Sequence, residues 1–551
     1  MSLVSTLGLS AGSAYATPSL KSVRDPPAVV LDNGTFIGVH DGVVDRYLGI
    51  PFALPPTGDM RFRLPVPNTS YNATYNATDF GMDCPQQNSG QSTVDDVITE
   101  EIAIMLGLTR AGPRPSGEDC LTINVWTPSD IQPGANLSVL AWIFGGGFEV
   151  GSTADYDGAN IVRRSIDLGE PVIYVSMNYR SEASFGFLAS KEVKEAGVGN
   201  LGLWDQRQAL RWIQRYIGAF GGDPTKVTIW GESAGGISVA LQMLTNGGDT
   251  EGLFRAAVMA SGSPIPVGDI ANGQTYYDDL VRETNCTAAT DTLECLRHVP
   301  YNRLKEAVDM TPGLLSPQSL NLAWLPRADG RFLIAPPQQL VLNDSVADVP
   351  FITGDCDDEG TIFSITQIQF STSEQFEDWF INTYMPTVPD EQIDEVLRLY
   401  PDDPSQGSPF GTGNFTLFFP RQFKRMAAIQ GDLVFQAPRR FFLQQRSGKQ
   451  NAWAYLDKRF KSVPLVGLFH GSDLQDFYGS DGSGILADYL VNFVNHLDPK
   501  NQTGLEWPKY SDISPSLFTL SGQDDSISIT PDNFRMDAMG LLTNLSLQFP
   551  L

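Results

Sequence analysis

Long hydrophobic runs and positive charge are both scarce in this chain of 551 residues. No stretch reaches the 18 or more apolar residues of a membrane-spanning helix, so no membrane anchor is expected. Only 37 Lys and Arg stand against 64 Asp and Glu, which gives a net charge of −27. Nucleic acid and anionic lipid headgroups are excluded as electrostatic partners, because both are bound through basic surfaces. Hydrophobic residues make up 42% of the chain, which predicts a folded protein with a sizeable core.

Cysteine is scarce as well, with five residues in the chain. Their order along the chain favours two local bridges and leaves one thiol free. The favoured bridges are Cys84–Cys120 and Cys286–Cys295, with Cys356 as the remaining thiol. Because disulfides persist in oxidising compartments, this pattern favours an extracellular protein over a cytosolic one with five reduced thiols.

Two further features of the sequence predict secretion. An A-x-A pattern at 14–16, followed by Thr17 and Pro18, predicts a signal peptide over residues 1–16 with cleavage near Ala16. Ten N-x-S/T sequons predict a glycosylated surface. The sequons begin at Asn33, Asn68, Asn72, Asn76, Asn136, Asn285, Asn343, Asn414, Asn501 and Asn544.

Apolar strand-like runs alternate with helical patterning along most of the chain. Short strands are expected over 28–48, and further strands over 121–126, 138–144, 171–177, 226–230, 256–260, 349–354 and 452–456. Helical patterning covers 203–217 and about 236–244, and helices are frequent between 270 and 460. This alternation predicts an α/β protein with a mostly parallel sheet and helices on both faces. One large domain with helical insertions is expected over residues 17–551.

A G-x-S-x-G pattern stands at Gly231–Gly235, with Ser233 at its centre. The apolar strand KVTIW precedes it, and a helix, GISVALQML, follows. A nucleophile elbow needs this strand-turn-helix setting, because the turn lifts the serine to the carboxyl edge of the sheet. Ser233 is therefore the predicted nucleophile. The alternative is a glycine-rich turn with a capping serine.

A second glycine run, at 145–147, follows the apolar strand SVLAWIF. Acyl-transfer chemistry needs backbone N–H donors aimed at the oxygen that becomes charged, and glycines let the backbone approach the substrate. The amide of Ala234, directly after the nucleophile, is the expected companion donor. A dinucleotide-binding turn is the alternative, but Val150 stands where the third glycine of G-x-G-x-x-G is required.

Histidine is scarce, with four residues, so the general base can be sought by elimination. In this type of hydrolase the partners follow in the order serine, acid, histidine, which excludes His40 and His298. His496 ends an amphipathic helix, where its expected role is to meet the helix dipole. His470, in the loop of GLFHGSD, is the predicted base. The alternative is a loop histidine bonded only to backbone.

An acidic cluster, DCDDEG, follows the strand-like run over 349–354. The imidazole needs a carboxylate on its other nitrogen, which fixes the tautomer and stabilises the imidazolium. The pattern leaves four carboxylates open, namely Asp355, Asp357, Asp358 and Glu359. A calcium loop does not match the spacing, and a solvated acidic loop remains an alternative.

Together these motifs resemble the type-B carboxylesterase/lipase family, the cholinesterase-like α/β-hydrolases, and within it the secreted fungal lipases and sterol esterases. The resemblance covers nearly the whole chain. It rests on FIGVHDGVVDRYLGIPFALPPTGDMRFRLPVP, GEDCLTINVW, IFGGGFEVGS, GNLGLWDQRQALRWIQRYIGAFGGDPTKVTIWGESAGG, DDEGTIFS, GLFHGSDL and WPKYSD. The expected fold is therefore the α/β-hydrolase fold.

The resemblance also implies a role for individual residues. It places the family's nucleophile on Ser233, its acid on Glu359 and its base on His470. It implies oxyanion donors at Gly146, Gly147 and Ala234, and the same two disulfides, Cys84–Cys120 and Cys286–Cys295. No metal or cofactor is expected.

The segment between Cys84 and Cys120 carries an amphipathic helix pattern, in which apolar residues mix with Asp and Glu. In the lipases that the chain resembles, this loop forms a lid that opens against lipid. A helix packed permanently on the core is the alternative. The segment contains no Trp, Tyr or Phe, which argues against choline esters as substrates.

These observations predict a secreted serine hydrolase that cleaves lipid esters, such as acylglycerols or sterol esters, at a lipid-water interface through an acyl-enzyme. A carboxylesterase of short soluble esters is the first alternative. A non-catalytic cholinesterase-like binding module is the second, and the presence of Ser233, Glu359 and His470 argues against it. A monomer or homodimer is expected.

Overall fold

The structure is a computed structural model that describes residues 25–87, 114–181, 183–416, 419–459, 461, 466–479, 484–500, 504–522 and 526–551. The signal peptide predicted over residues 1–16 lies outside the described residues. The central part of the lid predicted within 84–120 also lies outside them.

The described residues form fourteen strands. They are β1 Ala28–Leu31, β2 Gly34–Ile37, β3 Val39–Asp41, β4 Val44–Pro51, β5 Thr74–Asn76, β6 Thr122–Pro128, β7 Leu137–Ile143, β8 Val172–Met177, β9 Gly222–Glu232, β10 Ala256–Ala260, β11 Phe351–Cys356, β12 Ala452–Arg459, β13 Ser516–Gly522 and β14 Ser526–Pro531.

The described residues also form seventeen α-helices, none of which is long and apolar enough to cross a bilayer. They are α1 Ala159–Asp167, α2 Ala183–Phe187, α3 Lys191–Ala196, α4 Leu201–Tyr216, α5 Ala234–Leu244, α6 Gln274–Glu283, α7 Thr292–His298, α8 Tyr301–Asp309, α9 Pro337–Leu342, α10 Thr361–Ser364, α11 Ser373–Tyr384, α12 Asp390–Leu399, α13 Phe423–Gly431, α14 Ala437–Arg446, α15 Leu474–Tyr478, α16 Ile485–His496 and α17 Met536–Gln548. Seven short 3-10 turns are Gly58–Met60, Thr153–Asp155, Ile217–Phe220, Thr245–Gly248, Ile270–Gly273, Ile365–Gln367 and Pro404–Gln406, and a π turn spans Asp432–Gln436.

Eleven of the strands form one sheet in the order β14-β13-β12-β11-β10-β9-β7-β8-β6-β4-β3. The seven consecutive strands from β13 to β8 are parallel to their neighbours, and the strands at both edges pair antiparallel. The prediction of an α/β fold with a mostly parallel sheet is therefore confirmed. β1, β2 and β5 form a separate small sheet.

The parallel strands are buried on both faces, which explains why they appear in the sequence as continuous apolar runs. Every residue of β8, β10 and β11 is buried, because helices cover both sides of the sheet. Large aromatic rings fill the centre, where the ring centroids of Trp142 on β7 and Trp230 on β9 lie 4.3 Å apart. The strand ends that carry the site are thereby held on a rigid core.

The helix-rich region between 270 and 460 contains two strands of the central sheet, β11 and β12. β11 and β12 lie at the two strand-like runs predicted at 349–354 and 452–456, and they pair in parallel with each other. β11 also pairs with β10, so the excursions before it are insertions that leave and rejoin one sheet. The acidic cluster, which begins with Asp355 at the end of β11, thus lies at the same edge of the sheet as the residue that follows β9.

Two disulfides are present, Cys84–Cys120 and Cys286–Cys295, with Cα–Cα distances of 4.9 and 5.7 Å. Cys356 is a free, buried thiol at the end of β11. The first bridge joins residues 36 apart in sequence and the second joins residues 9 apart.

We expect the longer loop to gain more stability from its bridge. Because cross-linking restricts the unfolded chain more when the loop is longer, Cys84→Ser/Cys120→Ser should lower the free energy of unfolding by roughly 4 kcal/mol, and Cys286→Ser/Cys295→Ser by about 3 kcal/mol. Equilibrium urea unfolding without reductant measures both double variants. A larger loss for the shorter loop would contradict the chain-entropy argument.

Candidate active site

Ser233 occupies a sharp turn between β9, which ends at Glu232, and α5, which begins at Ala234. Its backbone has φ 56° and ψ −127°, a region that L-residues rarely adopt. A Cβ on Gly231 would lie 2.4 Å from the Gly235 carbonyl group, and a Cβ on Gly235 would lie 2.0 Å from the Ile143 oxygen. The two glycines are therefore required by close backbone approach, and they allow the strained turn that the G-x-S-x-G pattern predicted.

His470 and Glu359 lie in direct contact at the carboxyl edge of the sheet. His470 Nδ1–H donates to Glu359 Oε2 at 2.5 Å, and both side chains are buried. This bond selects the tautomer whose Nε2 is unprotonated and can accept a proton. The structure thus joins the predicted base with the acid that the resemblance implied.

The other oxygen of Glu359 is held by two donors. Ser261 Oγ–H donates to Oε1 at 2.7 Å, and the backbone N–H of Cys356 donates to the same atom at 2.6 Å. Burial raises the pKa of Glu359 well above its ordinary value, and these two hydrogen bonds act in the opposite direction. They orient the carboxyl group toward the imidazole.

The three remaining carboxylates of the acidic cluster have other partners. Asp355 Oδ2 accepts from Arg439 Nε at 2.8 Å, and Asp357 pairs with Lys461 at 2.5 Å. Asp358 Oδ1 accepts from the Ser408 hydroxyl and from the Phe410 backbone N–H. Of the four carboxyl groups left open by the sequence pattern, Glu359 is the one that contacts His470.

The other three histidines lie elsewhere. His40 contacts Asp45, His298 contacts Glu294, and His496 contacts Glu170 at 3.1 Å from an exposed position at the end of α16. His470 lines the same cavity as Ser233. Chain order left His470 and His496 open, and since His496 lies elsewhere, His470 stays the predicted base.

Burial lowers the pKa of His470 below its ordinary value, while the nearby carboxylates Glu232 and Asp473 act against this. The rings of Phe363 and Phe435 pack against the imidazole, with centroids 5.0 and 4.6 Å away. The imidazole is therefore neutral at pH 7 and is screened from water on this side. A neutral imidazole is the form that can act as a general base.

Sequence reasoning missed Glu232 and Ser261. Glu232 Oε1 lies 3.3 Å from His470 Nε2, and burial raises the pKa of Glu232 to about 8. The only sequence signal for Glu232 was its place inside G-x-S-x-G, a position that the pattern leaves free. Ser261 follows β10 directly, at the edge where β9 and β11 also end, and the topology alone makes it a candidate.

The predicted oxyanion loop follows β7. Gly146 has φ 109° and Gly147 has φ 65°, and a Cβ on Gly146 would lie 2.3 Å from the Val150 oxygen. Within the described part of the chain, the amides of Gly146 and Gly147 make no hydrogen bond. Ala234 is the first residue of α5, where amides have no partner inside the helix. All three amides are thus available to an incoming oxygen.

Ser233 lies between two pockets. A cavity of about 310 Å³ contains Ser233, His470, Glu232 and the 145–147 glycines, with Leu314 and Leu320 on its wall. A narrower apolar pocket begins at Ser233, Gly147 and Ala234. Its walls include Phe148, Ile237, Ile265, Val267, Leu322 and Leu325.

In the described ranges, no group of three or more His, Cys, Asp or Glu side chains is arranged to hold a metal ion. The arrangement that is present consists of a strained serine, a neutral imidazole paired with a carboxyl group, and unpaired amides. These are the elements of nucleophilic acyl transfer.

The fold and this constellation define an α/β-hydrolase with a serine-type site, and comparison with known proteins agrees. The family model described as the carboxylesterase family matches residues 25–537. Lipase 4 of Diutina rugosa is 42% identical over 510 residues, which cover 90% of this chain and 91% of the relative. The secreted triacylglycerol lipase LIP1 of Gibberella zeae is 41% identical over 544 residues, with 95% and 91% coverage.

A solved structure, that of Aspergillus niger EstA, is similar with a TM-score of 0.81 and 26% identity, covering 96% of this chain and 99% of that one. The chain therefore belongs to the carboxylesterase family. This membership confirms the predicted α/β-hydrolase fold and the predicted class, a carboxylic ester hydrolase. The expectation of secretion agrees with a relative named as a secreted lipase.

We expect Glu359→Gln to lower kcat by on the order of 10³-fold, because an amide cannot stabilise the imidazolium and does not impose the same tautomer. Asp357→Asn is the matched control, since it changes a buried carboxylate of the same cluster that pairs with Lys461 instead. Its kcat should stay within about threefold of wild type. Ester hydrolysis at pH 8 measures both variants, and equal losses would contradict the assignment.

The raised pKa of Glu232 predicts a pH-dependent stability. A carboxyl group whose pKa rises from 4.5 to about 8 on folding contributes stability that is fully present below pH 4.5 and is lost as pH rises through 8. Glu232→Gln lacks this dependence, so its stability relative to wild type should increase from pH 5 to pH 8. Urea unfolding at several pH values measures the difference, which a flat profile would contradict.

Proposed function

We propose that the protein hydrolyses carboxylic esters of lipids through an acyl-enzyme, with Ser233 as nucleophile, His470 as general base and acid, and Glu359 as the orienting carboxylate. One observation carries this proposal. His470, which is hydrogen-bonded to Glu359, borders the same cavity as the strained Ser233, at the mouth of an apolar pocket.

The first half of the reaction forms the acyl-enzyme. Nε2 of His470 takes the proton of Ser233 as the hydroxyl oxygen attacks the ester carbonyl. The resulting imidazolium carries its positive charge beside Glu359, whose carboxyl group is held in place by Ser261 and Cys356. His470 then gives the proton to the alkoxide, and the alcohol leaves.

Negative charge develops on the carbonyl oxygen during this attack. The amides of Gly146, Gly147 and Ala234 are proposed to receive it, because preorganised N–H donors cost no reorganisation at the moment of reaction. The N-terminus of α5 adds favourable helix-dipole potential at the same place. In the second half, His470 takes a proton from water as the water oxygen attacks the acyl-enzyme. The bond between the acyl group and the Ser233 oxygen then breaks, His470 returns the proton to that oxygen, and the acid is released.

The substrate class follows from the surroundings of Ser233. The narrower pocket is almost entirely apolar, so it suits an acyl chain and offers no counter-charge to an ionic group. The net charge of −27 favours neutral esters over anionic ones. The relatives named as lipases support acylglycerols, and sterol esters share the same acyl group chemistry.

Three finer expectations remain predictions. They are the lid within 84–120 that opens at a lipid surface, the lack of a membrane anchor, and the monomeric or homodimeric state. The disulfide Cys84–Cys120, which closes the loop that contains the predicted lid, lies within the described residues.

We expect Ser233→Ala to abolish hydrolysis of both p-nitrophenyl butyrate and emulsified triolein, because both need the same nucleophile. The matched control is Ser238→Ala, a buried serine on α5 that accepts from Gln206 and should keep activity. Wild type should prefer the emulsion. Activity on butyrate alone would favour a carboxylesterase of short soluble esters, and activity of Ser233→Ala would contradict the mechanism.

A further inference from the structure

Glu149 is a buried carboxyl group that the mechanism above does not use. It follows the oxyanion loop by two residues, and its side chain accepts a hydrogen bond from the backbone N–H of Leu314 at 2.8 Å. Its second oxygen, Oε1, is buried and has no hydrogen-bond partner among the described residues. A carboxylate in this position would be costly, because its charge has no compensating cation.

The hydrogen bond to Leu314 connects two walls of the cavity. Leu314 and Gly147 both line it, and a Cβ on Gly147 would lie 3.6 Å from a Leu314 methyl group. The backbone N–H of Glu149 donates to the Gly146 oxygen at 3.1 Å, which closes the turn that carries the proposed oxyanion donors. One residue therefore contacts the glycine turn through its backbone and the facing wall through its side chain.

The same segment is tied to the base of the disulfide loop. The Gln87 backbone N–H donates to the backbone carbonyl oxygen of Glu149 at 3.0 Å. The side-chain amide of Gln86 makes two hydrogen bonds with the backbone of Gly151. The Gln87 side chain donates to the Thr311 oxygen at 3.0 Å, three residues before Leu314. Glu149 thus lies where the oxyanion turn, the 311–314 wall and the chain after Cys84 meet.

We propose that Glu149 is a positioning residue, which holds the oxyanion turn against the Leu314 wall without touching the substrate. The proposal rests on the proposed function, since it assigns Glu149 to the same oxyanion hole. The bond from Leu314 fixes the wall that packs on Gly147, so its loss should let the donors drift from the reacting oxygen. Misplaced donors weaken transition-state binding more than substrate binding.

The charge state of Glu149 supports this role. Burial raises its pKa to about 8, and the Leu314 N–H lowers it in part. The ionisable groups on the packed segments form their own pairs, Arg114 with Asp83 and Asp155, and Lys305 with Asp309. In the cavity, burial also raises the pKa of Glu232 to about 8. Glu149 is therefore neutral at pH 7, and ionisation above pH 8 would place an uncompensated charge behind the oxyanion turn.

Two substitutions test the proposal with p-nitrophenyl butyrate as substrate. Glu149→Gln keeps an uncharged acceptor for the Leu314 N–H, so its kcat at pH 7 should stay within about threefold of wild type. Glu149→Ala removes the acceptor and should lower kcat by roughly 10- to 100-fold, with KM changed by less than about threefold. Because a smaller folded fraction by itself would also lower apparent kcat without changing KM, kcat is expressed per folded enzyme, with the folded fraction measured by circular dichroism.

The pH profile provides a second readout that does not depend on Glu149→Ala folding. As the pH rises, the wild-type enzyme gains a buried negative charge on Glu149, whereas Glu149→Gln stays uncharged at this position. The wild-type kcat should therefore fall, and the ratio of kcat for Glu149→Gln to kcat for wild type should rise by about fivefold or more between pH 7 and pH 10. The ratio cancels the titration of other groups, such as Glu232.

Two further variants sharpen the test. Gly313→Ala would place a Cβ 3.1 Å from Glu149 Oε2, so it should lower kcat in wild type but have little effect in Glu149→Ala. Asp329→Asn is the matched control, a buried carboxyl group that accepts the backbone N–H groups of Arg331 and Leu333. It should change the melting temperature and leave kcat unaltered.

An unchanged kcat in folded Glu149→Ala, or a flat Glu149→Gln ratio from pH 7 to pH 10, would overturn the positioning role. Activity in Ser233→Ala would instead overturn the proposed function. An inactive Ser233→Ala beside a fully active Glu149→Ala would reject the role of Glu149 alone.

Discussion

The close backbone approach at the end of β9 is the constraint on which the site depends. Gly231 and Gly235 leave no room for a Cβ, and this contact packs the start of α5 against β7 and β9. Ser233 is consequently forced into its strained conformation, at the point where the parallel strands end. Its position relative to the oxyanion turn after β7 follows from the β7–β9 pairing, which aligns Ile143 with Gly231. The rigid sheet therefore fixes the positions of the site residues, and the loops after its strands carry the reacting side chains and amides.

The second feature of the site is a set of buried carboxyl groups with few cations. Glu149, Glu232 and Glu359 all have raised pKa values because burial disfavours their charged forms. Farther from the cavity, Arg439 and Arg440 both pair with Asp532, and these two guanidinium groups hold the pKa of that carboxyl group below its ordinary value despite its burial. The buried carboxyl groups are therefore of two kinds. Some form ion pairs within the fold, and others lie near the reacting groups, where the dielectric constant is low and no cation is close.

Much of the site could be predicted from sequence because its parts have local signatures. The elbow around Ser233 needs small residues at fixed positions, and the glycine run after β7 is also local. His470 could be proposed because only four histidines exist, chain order excludes two, and His496 ends a helix. Glu359 could not be separated from its three acidic neighbours by residue chemistry, and the family resemblance was needed. The structure separates them through partners such as Arg439 and Lys461, which lie far away in sequence.

The sequence by itself determined the alternation of strands and helices, the residue types at the elbow and the set of candidate partners, because these depend on periodicity and local backbone requirements. Only the tertiary structure decided which carboxyl group contacts His470, and that Ser261 and Glu232 lie beside the pair. It also decided that Glu149 lies behind the oxyanion turn with Leu314 as its partner. These contacts join residues about 100 or more positions apart, and the pairing of strands across the sheet brings such residues together.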